Sequence, residues 1–144
     1  MNDATNPWED NLIADMRAND GVVTTGPLAG HPLMIVTSMG ARTGQPRRAI
    51  LTWTRDGDDY VVAGTAGGSP VTPAWVHNMA VNPSVHIEMP PEAFDATARV
   101  IERGPERDRL WDQHVAALPW FGEYPDKAGD RVIPVIRLTP ARAR

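Results

Sequence analysis

Between Leu33 and Gly64 the chain sets three runs of β-forming residues so close together that no helix fits between them. Leu33–Ser38, Arg47–Arg55 and Tyr60–Gly64 are separated by a basic turn starting at Gly40 and by Asp56-Gly57-Asp58-Asp59. Parallel neighbours need a crossover of about a dozen residues, whereas an Asp-Gly turn closes an antiparallel hairpin directly. The spacing therefore predicts an antiparallel meander and argues against a doubly wound parallel sheet.

The rest of the chain continues in short elements. Asn6-Pro7-Trp8-Glu9 reads as a helix start, with Asn6 as cap, and Trp8, Leu12 and Met16 form one apolar stripe ending near Asn19. Thr72 is expected to cap a helix that has Pro73 at its first position and ends near Val81. Val85–Met89 and Phe94–Glu102 read as strands joined through Pro90-Pro91. Pro105 opens a helix with Glu106 and Asp108 in its first turn, and Leu110, Trp111, His114, Val115 and Leu118 line one side of it. Trp120–Tyr124 reads as an aromatic connector or short helix, and Val132–Leu138 as a final strand. Some six strands with three or four helices, mostly hairpin-connected, predict an antiparallel barrel with flanking helices. Residues 1–30 read as an N-terminal helix plus irregular segment, and residues 31–144 as the barrel.

Composition narrows the function. With 144 residues and 42% hydrophobic content the chain suits one domain with a true core. The absence of cysteine removes disulfides, thiolate catalysis and cysteine-bound metals. A net charge of −4 argues against a nucleic-acid or anionic-membrane surface. The longest apolar run, Leu33–Val36, is too short for stable membrane insertion, and no secretory signal pattern is visible. A cytoplasmic protein is expected, as monomer or homodimer.

Against this acidic background the turn Gly40–Arg48 concentrates Arg42, Arg47 and Arg48. Glycines allow a tight turn and close approach to a ligand, and guanidinium forks suit phosphate or carboxylate. A solvated hairpin with surface arginines fits the same residues. Side chains alternate along a strand, so Arg47 and Arg48 are expected on opposite faces, with Arg47 joining Arg42 at an anion. The Thr65–Ser69 loop carries Gly67-Gly68 ahead of a helix N-terminus, which favours negative charge, though a flexible connection reads the same way.

Catalytic residues are sparse. His77 can donate a proton near neutral pH, and His86 and Glu88 share a strand face, but the four histidines have no metal-ligand spacing. There is no nucleophile elbow and no Walker or Rossmann glycine pattern. An enzyme with this sequence would depend on a bound cofactor for its chemistry.

Several of these pieces occur together in one known family. Gly40-x-x-Thr43-Gly44-Gln45-Pro46-Arg47, the Arg55-Asp56-Gly57 turn, Gly67-Gly68, and Pro73-Ala74-Trp75 leading to Asn78 and Asn82-Pro83 resemble the deazaflavin-dependent nitroreductase family. The terminal Ile133–Pro140 adds to the match, which covers roughly residues 30 to 140. These are actinobacterial reductases that use coenzyme F420. The resemblance implies a mainly β fold with flanking helices, a split β-barrel of the FMN-binding-protein type. It implies that Arg42, Thr43 and Arg47 meet the cofactor's phosphate and acidic tail. Arg48, Ala49, Ile50, Leu51 and Thr52, with Ala63, Gly64, Thr65 and Ala66, would run beside the cofactor. Ala74, Trp75, Val76, His77 and Asn78 would border its ring. Trp120, Phe121 and Tyr124 would wall an acceptor pocket.

The implied activity is transfer of a hydride from the reduced deazaflavin to an electron-poor small molecule: a quinone, an activated enone or a nitroaromatic. An FMN-dependent reductase of the same fold and a deazaflavin carrier without strong turnover are the alternatives. Three positions depart from the family. Ala41 and Ala66 stand where basic residues are common, which implies weaker or differently distributed tail binding. Phe121 stands where nitroreducing relatives carry a tyrosine, which leaves Tyr124 and His77 as substitute proton donors and implies poor turnover of nitroimidazoles.

Overall fold

A computed structural model describes residues 7–26, 29–65, 72–127, 129 and 132–141. Its strands are β1 Leu33–Met39, β2 Pro46–Thr52, β3 Thr54–Asp56, β4 Asp59–Ala63, β5 Ser84–Met89, β6 Glu92–Ile101 and β7 Val135–Pro140. The helices are α1 Pro7–Ala18, α2 Ala74–Val81, α3 Pro105–Ala117 and α4 Tyr124–Lys127, the last preceded by a 3₁₀ turn at Pro119–Glu123. The strands form a single antiparallel sheet in the order β2-β1-β5-β6-β7-β4-β3.

The expected meander is corrected in one respect that shapes the whole molecule. The run 47–55 is not one strand but two, broken at Trp53, and the two halves lie on opposite edges of the sheet. β2 pairs with β1 and β3 pairs with β4, so a single stretch of chain crosses from one edge to the other. At the break the Trp53 N–H still bonds the Pro32 carbonyl at 3.3 Å, while its ring meets Tyr60 edge-on at 5.2 Å. Strand twist accumulates across the sheet and this crossing joins its ends, which gives a curled, split barrel.

Period-2 alternation explains the packing. Met34 and Val36 of β1 face the interior with Val62, Ile87, Ile136 and Leu138, while Leu33 and Ile35 face outward under Leu12, Ile13 and Met16 of α1. In β4, Tyr60 and Val62 point inward and Val61 and Ala63 outward, under Leu110, Trp111 and Phe121. Each fully buried aliphatic side chain contributes roughly 1.5–3 kcal/mol of transfer free energy. The expected α1 stripe loses its first member: Trp8 remains 57% exposed, and Ile13 is buried with Leu12 and Met16.

Two further boundaries move for local reasons. Thr72 does not cap α2: Pro73 occupies the cap position in extended conformation with no side-chain cap bond, and the helix begins at Ala74. β7 starts at Val135, three residues late, because the Ile133 carbonyl is taken by the Arg107 guanidinium at 2.8 and 3.0 Å and Pro134 carries no N–H. On the outer face, Arg137 of β7 bonds Asp56 at 2.6 Å, Asp59 at 2.7 Å and Glu106 at 3.3 Å. Arg109 joins Asp56 and Arg99 joins Glu106, so one ion-pair network ties α3 to the sheet.

Candidate functional site

The basic turn owes its shape to Gly40 and Gly44. The Gly40 N–H donates to the Gln45 carbonyl at 2.8 Å, the Gly44 N–H donates to the Gly40 carbonyl at 2.9 Å, and Gly44 adopts φ +69°. A Cβ on Gly40 would lie 2.9 Å from Thr43 Oγ1 and 3.3 Å from the Gln45 carbonyl oxygen. α2 is fastened to this turn: the buried Asn78 accepts the Ala41 N–H at 2.9 Å, and Asn82 reaches the Met39 carbonyl at 3.4 Å. Thr43 Oγ1 accepts the Gln45 N–H at 3.2 Å and a long contact from Arg47 at 3.5 Å.

Between turn and helix lies a groove of about 590 Å³. Gly40, Ala41, Arg42, Thr43, Arg47 and Arg48 form one wall; Ala74, Trp75, His77 and Asn78 form the other. Arg47 and Arg48 both line it, and their side chains diverge as strand alternation predicts, Arg47 reaching Thr43 of the turn. Arg48 is also engaged outside the groove, its Nη2 lying 3.1 Å from Asp10 and 3.4 Å from Glu9 of α1.

A second chamber of about 320 Å³ shares one wall residue with the groove, Trp75. Leu33, Ile50, Leu51 and Thr52 line it from β1 and β2, and Ala63 and Thr65 from the end of β4. Trp120, Phe121 and Tyr124 close it. Phe121 is 5% exposed and packs among Trp111, His114, Trp120 and Tyr124, while His31 stacks obliquely on Trp120 at 4.6 Å. The aromatic run of the sequence is thus both core and wall.

The remaining expected site residues fall elsewhere. Gly64 is buried where a Cβ would meet Val76 Cγ2 at 2.7 Å and Pro134 Cγ at 3.1 Å, so it seats α2 against the end of β4. Val76 joins the interior core, and Ala49 pairs with Val36 in the β1–β2 ladder. His77 lines the anion groove and a separate pocket of about 300 Å³ behind α2, where Glu102 and Arg103 also lie. Ala66 and Gly67-Gly68 lie outside the described residues. Leu33 and Ala41 line the site although neither carries a reactive group that would single it out in sequence. His86 and Glu88, which share a strand face, are both engaged, His86 with Asp95 at 2.9 Å and Glu88 in an ion pair with Arg17 at 2.7 Å. Among the described residues no group of three or more potential metal ligands exists.

Taken together, guanidinium forks at one end and an apolar, aromatic chamber at the other suit an elongated ligand with an anionic end and a flat ring. That defines a split-barrel protein of the kind that holds a flavin-like cofactor. A family model described as F420H(2)-dependent quinone reductase matches residues 10–140, and the chain belongs to that family.

Among the relatives, the F420H(2)-dependent quinone reductase Rv1261c of Mycobacterium tuberculosis is 41% identical over 81 residues, 56% of this chain and 54% of its own. The match thus spans about half the length of that relative. A second protein of that organism, the putative F420H(2)-dependent quinone reductase Rv3178, is 29% identical over 76% of this chain and 90% of its own. The solved structure of an F420-H2 dependent reductase, FDR-A, superposes with TM-score 0.66 at 33% identity over 74% of this chain and 93% of its own. The heme storage protein HutZ from Vibrio cholerae, at 22% identity and TM-score 0.54 over 91% of this chain and 89% of its own, shares the fold. Among the described residues no helix is long and apolar enough to cross a membrane.

Proposed function

We propose that this chain is a coenzyme F420-dependent reductase acting on a quinone or a similarly conjugated carbonyl compound. The observation that carries this reading is that Trp75 lines both a groove with three arginines in its wall and an aromatic-walled chamber. When bound, reduced coenzyme F420 supplies a hydride from C5 of its deazaflavin. The residues present fit that group. Arg42 and Arg47, with Thr43 between them, would hold its phosphate and acidic tail. Trp75, Leu51, Thr52, Ala63 and Thr65 would border its ring.

The chain's own contribution is positioning and exclusion of water. Trp120 and Phe121 offer flat apolar surface to a planar acceptor, which they would press toward the ring. Tyr124 is the hydroxyl donor among these three chamber-closing aromatics, so it would bond the acceptor's carbonyl oxygen and stabilise the negative charge that develops there. His77 lines the groove and not the chamber, which leaves it the weaker proton donor of the two. The missing hydroxyl at Phe121 favours quinones and enones over nitroaromatics.

Fluorescence titration with purified coenzyme F420 tests the cofactor. Saturable binding at micromolar concentration is expected, weakened roughly tenfold or more in an Arg42→Ala, Arg47→Ala double variant, as charge-assisted contacts predict. The absorption spectrum of the purified protein separates a deazaflavin from FMN. Consumption of reduced coenzyme F420 with menadione, in the presence of protein only, tests turnover. Binding without turnover would make the chain a carrier, and no saturable binding would overturn the assignment.

A further inference from the structure

Arg48 takes part in two arrangements at once. It is one of the residues lining the basic groove, and its guanidinium meets Asp10 at 3.1 Å and Glu9 at 3.4 Å, residues 38 and 39 positions away in the first turn of α1. The pairing is partly shielded: the side chains of Arg48 and Glu9 are 25% and 20% exposed, that of Asp10 51%. The body of α1 is anchored independently. Leu12, Ile13 and Met16 pack on Leu33 and Ile35, and Arg17 forms a two-point bond with Glu88 at 2.7 Å. The rest of the helix is thus held by contacts that do not involve Arg48.

An anion in the groove would carry the same charge as Glu9 and Asp10 and would seek the same guanidinium. Two carboxylates at ion-pair distance from a groove-lining arginine lie within about 8 Å, one Debye length, of any anion bonded to its other face, so the repulsion is felt. We infer that Glu9 and Asp10 are built-in competitors of the groove's phosphate-bearing ligand, so that ligand binding and the seating of the first turn of α1 are negatively coupled through Arg48. The identity of that ligand rests on the function proposed above; the coupling itself requires only an anion. By linkage the effect runs both ways: the carboxylates weaken ligand binding, and the ligand loosens the helix start.

The test compares the full-length protein with a Glu9→Gln, Asp10→Asn double variant, which keeps side-chain shape and removes both charges. Tryptophan fluorescence, with Trp75 in the groove as reporter, follows titrations with inorganic pyrophosphate and with coenzyme F420. The variant is expected to bind both roughly three- to tenfold more tightly. In the wild type, saturating ligand should accelerate amide hydrogen exchange in residues 8–13, and in the variant it should not. Equal or weaker binding by the variant, or added protection of α1 on binding, overturns the inference: the carboxylates would then hold Arg48 in place for the ligand. If coenzyme F420 binds both forms alike, the inference falls and the functional reading stands. If pyrophosphate shows the coupling and coenzyme F420 does not bind, the reverse holds. If neither ligand saturates the wild type, both fall.

Discussion

Lowering the pH from about 7 to about 4 should remove roughly 3 kcal/mol of folding stability through a single side chain, His114. The imidazole is fully buried between α3 and β3, its Nδ1 lies 2.8 Å from Thr54 Oγ1, and its ring meets Phe121 edge-on at 4.6 Å. Its Nε2 is buried with no hydrogen-bond partner among the described residues. Burial pushes the imidazole pKa from 6.5 down to about 4. The folded protein therefore holds His114 neutral where the unfolded chain has already taken up a proton. The stability this provides is complete above about pH 6.5 and declines as pH falls, until the folded state also protonates near pH 4. The gap between 6.5 and about 4 corresponds to about 3.4 kcal/mol in full, of which roughly 3 is lost by about pH 4, where the folded state is itself half protonated.

Urea unfolding across this range, compared with a His114→Phe variant, isolates the effect from carboxylate titration. The variant should be less stable near neutrality by about 1–3 kcal/mol, because Thr54 loses its partner, but its stability should change much less between about pH 6.5 and 4.5. Parallel curves for the two proteins would mean that His114 is not held neutral.

Replacing Arg137 by alanine should destabilise the fold by about 2–4 kcal/mol and lower Tm by roughly 6–12 °C. The Arg137 side chain is only 13% exposed and bridges Asp56, Asp59 and Glu106, so its loss leaves three carboxylates facing one another across β3, β4 and α3. The bonds from Arg109 and then Arg137 hold the Asp56 carboxyl well below the usual carboxylate range. Because that pKa is depressed in the folded state, the stability it represents is present above about pH 4 and is lost as pH falls further. The difference between wild type and variant should accordingly shrink in acid, and calorimetry at about pH 7 and about pH 3 measures it. An unchanged Tm near neutrality would show that Arg109 alone suffices to hold Asp56.

Much of the fold is legible residue by residue. The hairpin at Asp56–Asp59, the alternation in β1, the Pro-led start of α3 and its buried Leu110, Trp111 and His114 all follow from neighbours close in sequence. What escapes is the division of 47–55 at Trp53. Both halves have the same β-forming composition, and only pairing with β1 on one side and β4 on the other separates them. The site is legible in a similar way. Arg42, Thr43, Arg47, Trp75 and the aromatic run stand out by chemistry, whereas Leu33 is an ordinary strand residue that lines the chamber because of where β1 begins.

The sequence by itself determines an antiparallel β protein with a basic glycine turn and little catalytic chemistry of its own, because turn geometry and period-2 burial act over a few residues. Only the tertiary structure decides that Asn78 braces the Ala41 backbone, that Trp75 lines both groove and chamber, and that Arg48 is shared between the groove and the carboxylates of α1. The Asn78 and Arg48 contacts link residues 37 to 39 positions apart, and no local preference encodes them. They arise when the curled sheet brings its edges together and lays α1 and α2 on either side of the same turn.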